Sequence, residues 1–252
     1  MILAVIMFAG CIHLPSDIAD ARIGEVEMEN NEAKEETLEE RDMQENQEIQ
    51  KVLFIGNSYT YYNDMPQVLF AGLAKEAGFT VEVYSATKGG AKLIWYTDPT
   101  KEHYKILADA VEGKSFDWII LQEQSLTPIT DVAVFHEGIE ALMQLFDGRS
   151  KNFLLYATWG RKEGSQKLED LNLSSQEMTD QLAKAYEIAG EKYGIPVVHV
   201  GKVFADYRKQ NPEEELYDPD LSHPSLAGSL LAAQEILDVM LKKDSHNRET
   251  GT

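Results

Sequence analysis

Cysteine is nearly absent from this chain: Cys11 is the single one in 252 residues. One thiol permits no internal disulfide and says little about redox compartment. Also missing are a Cys/His cluster at metal-ligand spacing, a Walker loop and a dinucleotide fingerprint, so neither a metal nor a cofactor is expected. Basic residues are scarce, with 23 Lys and Arg against 43 Asp and Glu, a net charge of −20. Phosphate binding needs a basic patch, which argues against a nucleic-acid partner. No internal repeat interrupts the chain.

The first eleven residues, Met1 to Cys11, are apolar and end in small residues before the cysteine. Such a run is too short to span a bilayer as a helix but has the length of a signal-peptide core. Phe8-Ala9-Gly10-Cys11 resembles a bacterial lipobox, which implies lipidation of Cys11 and an extracytoplasmic, membrane-anchored protein. Residues 12–50 carry 13 acidic and three basic side chains, half of the chain's net negative charge. They hold too little apolar surface to offset their ordering entropy, so an acidic, disordered tether is expected there.

Residues 51–242 are expected to form one domain, followed by a flexible tail at 243–252. Short apolar runs alternate with longer segments of helical period. Val52–Ile55, Thr80–Tyr84, Trp118–Leu121, Phe153–Ala157 and Pro196–Val200 read as five strands. They are nearly continuous in apolar character, as strands covered on both faces are. Gly78, Gly113, Gly148 and Gly194 follow helical patterns, and Ser174 with Glu177 forms a capping-box pattern. This alternation predicts an α/β fold with three α/β/α layers around a five-stranded parallel sheet. Ligands of such sheets bind beyond the carboxyl ends of the strands.

That rim is where Ser58 falls, directly after the first strand in Gly56-Asn57-Ser58. A serine hydroxyl is a weak nucleophile until a base takes its proton, and the base in turn needs an acid to orient it. Of the six histidines, only His223 has an acid three residues earlier, Asp220, and a proline beside it. Asp218 is a neighbouring alternative for the acid. Gly89 and Gly90 follow the second strand, Gln122 ends the third, and Thr158-Trp159-Gly160 ends the fourth. Tyr59, Tyr61, Tyr62, Trp95, Tyr96 and Trp159 could line the mouth of a pocket there, with Tyr59 and Trp159 favoured for contact with substrate.

Gly56-Asn57-Ser58-Tyr59-Thr60 and Asp220-x-x-His223-Pro224-Ser225 resemble the first and last blocks of the SGNH (GDSL-like) hydrolases, in the bacterial branch that reads GNSYT. Lys88-Gly89-Gly90 resembles the glycine block, and Leu121-Gln122-Glu123-Gln124-Ser125 stands in place of the third block. The likeness spans roughly residues 51 to 242. It implies a flavodoxin-like fold and a triad of Ser58, His223 and Asp220. It also implies an oxyanion hole built from the Ser58 amide, a glycine amide and a side-chain amide. Gly90 matches the glycine best, with Gly89 the second choice. The family's usual Gly-x-Asn-Asp is missing from the third block, which leaves Gln122, or secondarily Gln124, as the side-chain donor.

The expected protein is a monomeric, lipid-anchored serine esterase acting on O-acetyl or other short acyl groups of a carbohydrate or small-molecule ester. A lipase, thioesterase or acyltransferase on the same triad is the second reading. A non-catalytic, carbohydrate-binding surface lipoprotein is the third.

Overall fold

The structure, a computed structural model, describes residues 49–250, with side chains as far as Ser245; the signal-like segment, Cys11 and nearly all of the acidic segment lie outside the described residues. Five parallel strands form one sheet: β1 (Gln50–Gly56), β2 (Val81–Thr87), β3 (Phe116–Leu121), β4 (Ser150–Tyr156) and β5 (Val197–Val198). Their spatial order is 2-1-3-4-5. Between and after them run α1 (Ser58–Tyr61), α2 (Ala71–Glu76), α3 (Glu102–Val111), α4 (Thr127–Thr130), α5 (Val132–Leu145), α6 (Gln166–Leu171), α7 (Ser175–Tyr193), α8 (Val200–Gln210) and α9 (Leu226–Thr250).

Strand alternation divides the core in two. Val52, Phe54, Trp118, Ile120, Leu154 and Tyr156 face a layer that includes Phe204 of α8 and Ile236 and Met240 of α9. Leu53, Ile55, Ile119, Leu121 and Leu155 face the opposite layer, with Leu107 of α3, Ile139 and Leu142 of α5 and Tyr186 of α7. Both faces of the sheet are thus covered, which is why its strands read as continuous apolar runs. Each fully buried Leu, Ile or Phe contributes about 1.5–3 kcal/mol, so the strands that carry the site also anchor the fold.

Local signals set the element ends. Ser174 Oγ accepts the Glu177 N–H at 3.2 Å and the Glu177 carboxylate accepts the Ser174 N–H at 2.8 Å, closing the capping box that starts α7. Gly194 ends that helix at φ 66°, a left-handed conformation in which any Cβ would be strained. Gly78, Gly113 and Gly148 also have positive φ, as their positions predict.

Several strand ends lie a few residues from their expected places, and at two boundaries the element itself differs from expectation. β5 stops at Val198, and Val200 already begins α8. The Gly201 N–H bonds the Ala157 carbonyl at 3.1 Å, and a Cβ on Gly201 would sit 2.3 Å from the Thr158 carbonyl oxygen. The chain therefore turns into its helix against the end of β4 instead of extending the strand. At the other terminus α9 continues to Thr250 through the stretch expected to be a flexible tail. Neither Gly nor Pro occurs from Ser229 to Thr250 to break it.

β1 pairs with β2 on one side and β3 on the other, with Gly56 opposite Thr87 and Ile55 opposite Leu121. The chain leaves β1 towards β2 and leaves β3 towards β4, in opposite directions, opening a crevice between the carboxyl ends of β1 and β3.

Candidate active site

Ser58 stands in that crevice as the first residue of α1. Gly56 lets the chain turn there, because a Cβ would lie 2.5 Å from Thr60 Oγ1 and 2.7 Å from Gln122 Oε1. Tyr96 donates its hydroxyl to the Gly56 carbonyl at 2.6 Å. Asn57 caps α1: its Oδ1 accepts the Tyr59 N–H at 3.1 Å and its Nδ2 donates to the Ala91 carbonyl at 3.1 Å. The asparagine thus ties the serine turn to the glycine loop.

His223 Nε2 lies 2.8 Å from Ser58 Oγ, bridging 165 positions of sequence. Its Nδ1 bonds Asp220 Oδ2. The other oxygen of Asp220 accepts the N–H groups of Ser222 at 2.9 Å and His223 at 2.8 Å. Burial opposes ionisation of Asp220, but the imidazole and these two N–H groups outweigh it and hold the carboxyl below its usual range. Asp218 contributes its backbone N–H to the His223 carbonyl, so Asp220 alone meets the imidazole.

Aromatic rings hold the imidazole in place. Tyr62 lies flat against the His223 ring and Tyr59 meets it edge-on. Behind Tyr59, Trp159 stacks at 4.9 Å and Phe204 stacks on Trp159 at 4.1 Å. Trp159, expected to touch substrate, is instead fully buried, with its indole N–H donated to the Ser222 carbonyl at 3.1 Å. The chain after β4 turns this ring into the core formed with α8. Tyr96 is likewise buried, and Trp95 packs on His103.

A cavity of about 400 Å³ opens on Ser58, His223, Gly90, Gln124, Tyr59 and Arg161, among others. A larger cleft of about 510 Å³ lies at the amino ends of β3 and β4, lined by Lys114, Ser115 and Arg149, and none of the triad-type residues borders it. Gly90, at φ 68°, borders the cavity that opens on Ser58, whereas Gly89 packs near the Tyr61 hydroxyl. Among the described residues, no hydrogen bond occupies the backbone N–H of Ser58 or Gly90.

The two glutamines exchange their expected places. Gln122, the first expectation for the oxyanion, has no exposed surface and does not border the cavity. Its Oε1 accepts the Asn57 N–H and the Thr60 hydroxyl, both at 2.9 Å, and its amide NH₂ donates to the Glu123 carbonyl. It braces the turn that carries Ser58 from beneath. Gln124 borders the cavity, and its Oε1 accepts Leu126 N–H at 2.9 Å and Thr127 N–H at 3.1 Å. Those bonds leave its NH₂ as the free end. The physical reason is that β3 ends at Leu121, so the alternation that would pair Gln122 with Gln124 on one face stops before them.

Glu123 is buried between them. Its carboxyl accepts the Gln124 N–H at 2.6 Å and the Leu93 N–H at 3.3 Å, joining the third block to the loop that carries Gly90. Burial pushes its pKa up to about 8, against the pull of those N–H groups.

Arg161 was not singled out in the sequence. Its Nη1 donates to Ser222 Oγ at 2.7 Å, and Ser222 Oγ also bonds the Tyr59 hydroxyl at 2.6 Å. The available signal was its place immediately after Thr158-Trp159-Gly160, at the fourth strand end of the same rim.

No family model matches the sequence, and no curated protein does either. Solved structures do match. A candidate SGNH hydrolase from Slackia heliotrinireducens is 28% identical, with a TM-score of 0.64, over 77% of this chain and all of that one. A DUF4886 family protein from Bacteroides uniformis is 18% identical with a TM-score of 0.63, over 75% of this chain and 81% of that one. The acetylxylan esterase Axe2 from Geobacillus stearothermophilus is 16% identical with a TM-score of 0.54, over 75% of this chain and 93% of that one. With the five-stranded parallel sheet already described, these neighbours show that the chain has the fold of the SGNH hydrolases.

Proposed function

We propose that the protein hydrolyses short acyl esters, with O-acetylated carbohydrate as the substrate class, through Ser58, His223 and Asp220. One observation carries the reading: a hydroxyl at a strand end hydrogen-bonded to an imidazole whose other nitrogen meets a carboxylate. The printed description of Axe2 as an acetylxylan esterase supports the acyl group and the carbohydrate.

In this mechanism Ser58 Oγ attacks the ester carbonyl while His223 Nε2 takes its proton. Asp220 fixes the tautomer in which Nδ1 carries the hydrogen, and it stabilises the imidazolium that forms. The Ser58 and Gly90 N–H groups and the Gln124 amide stabilise the developing oxyanion. His223 then protonates the departing alcohol. Water activated by the same imidazole cleaves the acyl-serine and releases the acid. The cavity of about 400 Å³ suits a short acyl chain with one sugar unit better than a long lipid chain.

The apolar start and its lipobox-like end support secretion and anchoring through Cys11, with the acidic stretch as spacer. A fluorophosphonate probe should label Ser58. Ser58→Ala should lower p-nitrophenyl acetate hydrolysis by about 10⁴-fold, and His223→Ala should cost about as much, since the triad acts as a unit. Unchanged turnover in Ser58→Ala rejects the mechanism.

A further inference from the structure

We infer that the cavity takes an ester whose alcohol portion carries a carboxylate, as an acidic sugar does, and that Arg161 binds that carboxylate. The inference rests on the esterase reading above. A guanidinium offers five N–H donors and keeps its charge at any accessible pH. In this site Nη1 reaches Ser222 Oγ at 2.7 Å and Nη2 reaches Ser125 Oγ at a long 3.4 Å. The Nε atom is buried without a hydrogen-bond partner.

Among the described residues no Asp or Glu forms an ion pair with Arg161, although the chain carries 43 acidic residues. Holding a partly buried cation against two neutral hydroxyls is unfavourable, and an arriving carboxylate relieves that penalty. Hydrogen bonds between ionised partners are roughly twice as strong as neutral ones.

The rest of the wall suits an anion too. Gln124 presents its NH₂ because its oxygen is occupied by Leu126 and Thr127. Among the described residues Asp220 is the one carboxylate bordering the cavity, and His223 and two backbone N–H groups already engage it. Arg161 bonds Ser222, the residue before His223, and in the proposed mechanism His223 protonates the departing alcohol, so the inference puts the bound carboxylate on the alcohol portion of the ester.

The test compares a matched pair, an O-acetylated methyl glucuronoside and the corresponding neutral methyl glucoside. The wild-type protein should show higher kcat/KM on the glucuronoside, and added NaCl should erode that preference. Arg161→Gln should lower the ratio of the two kcat/KM values roughly 10- to 100-fold, mainly through KM. Arg161→Lys should retain part of the preference. A wild-type protein without the preference overturns the inference, and so does an Arg161→Gln protein that loses both substrates equally, which would make Arg161 a positioning residue for Ser222. Should Arg161→Gln fail to fold, the wild-type preference, its salt dependence and Arg161→Lys decide the matter. Fluorophosphonate labelling of Ser58 in the same samples separates the two readings. Labelled protein without the preference rejects the anion site alone, and unlabelled protein rejects both.

Discussion

The ring of Tyr62 lies parallel to the imidazole of His223, with centroids 4.3 Å and planes 10° apart, while Tyr59 meets the same imidazole edge-on at 5.7 Å. The imidazole is therefore held by its Asp220 hydrogen bond in one direction and by two aromatic rings in others. An aromatic pair of this kind contributes about 0.5–1.5 kcal/mol beyond its buried area. Tyr62→Ala should lower kcat by roughly 3- to 10-fold if that energy keeps the imidazole aligned. Tyr62→Phe should retain nearly full activity. Steady-state kinetics on p-nitrophenyl acetate check both, and a silent Tyr62→Ala would show that Asp220 suffices.

The two glutamines should separate by phenotype. Gln124→Ala removes an amide aimed into the cavity, and its kcat should fall about 10²-fold with little change in KM. Gln122→Ala strands the Asn57 N–H and the Thr60 hydroxyl in a fully buried place. That should destabilise the fold by about 1–3 kcal/mol, read as a drop in melting temperature. The opposite pattern, a stable but inactive Gln122→Ala, would return the donor role to Gln122.

Glu123 makes stability depend on pH. Its folded pKa, about 8, lies above the ordinary 4.5, so folding favours the protonated carboxyl. That contribution is fully present below pH 4.5 and is lost as pH rises through about 8. Glu123→Gln should flatten the fall in melting temperature across this window. An unchanged pH profile in the variant would mean that the carboxyl is ionised in the folded protein at neutral pH.

Anchoring is tested at the N-terminus. Cys11→Ala should move the protein from the membrane to the soluble fraction of cells, since two or more acyl chains are needed for stable attachment. Mass spectrometry that finds an unmodified Cys11 in the mature protein would reject the anchor.

Much of the scaffold was legible locally. Val52–Ile55, Trp118–Leu121 and the glycines at helix ends announced buried parallel strands and helical crossovers, because burial on both faces and left-handed caps leave marks in consecutive residues. Ser58 and His223 were legible as a pair because their neighbours carried the signal, a strand-end glycine in one case and an acid and a proline in the other. The oxyanion side was not. Which glutamine faces the cavity depends on where β3 stops, and the pairing of Leu121 with Ile55 and Leu155 determines that. Trp159 and Arg161 illustrate the same limit. They stand two positions apart in sequence, yet packing against Phe204 and Tyr59 turns the indole inward and the guanidinium reaches Ser222 at the cavity wall. Sequence periodicity assigns a side chain to a face only while the backbone stays regular, and at these strand ends it does not. There the neighbours supplied by distant parts of the chain decided which groups border the cavity.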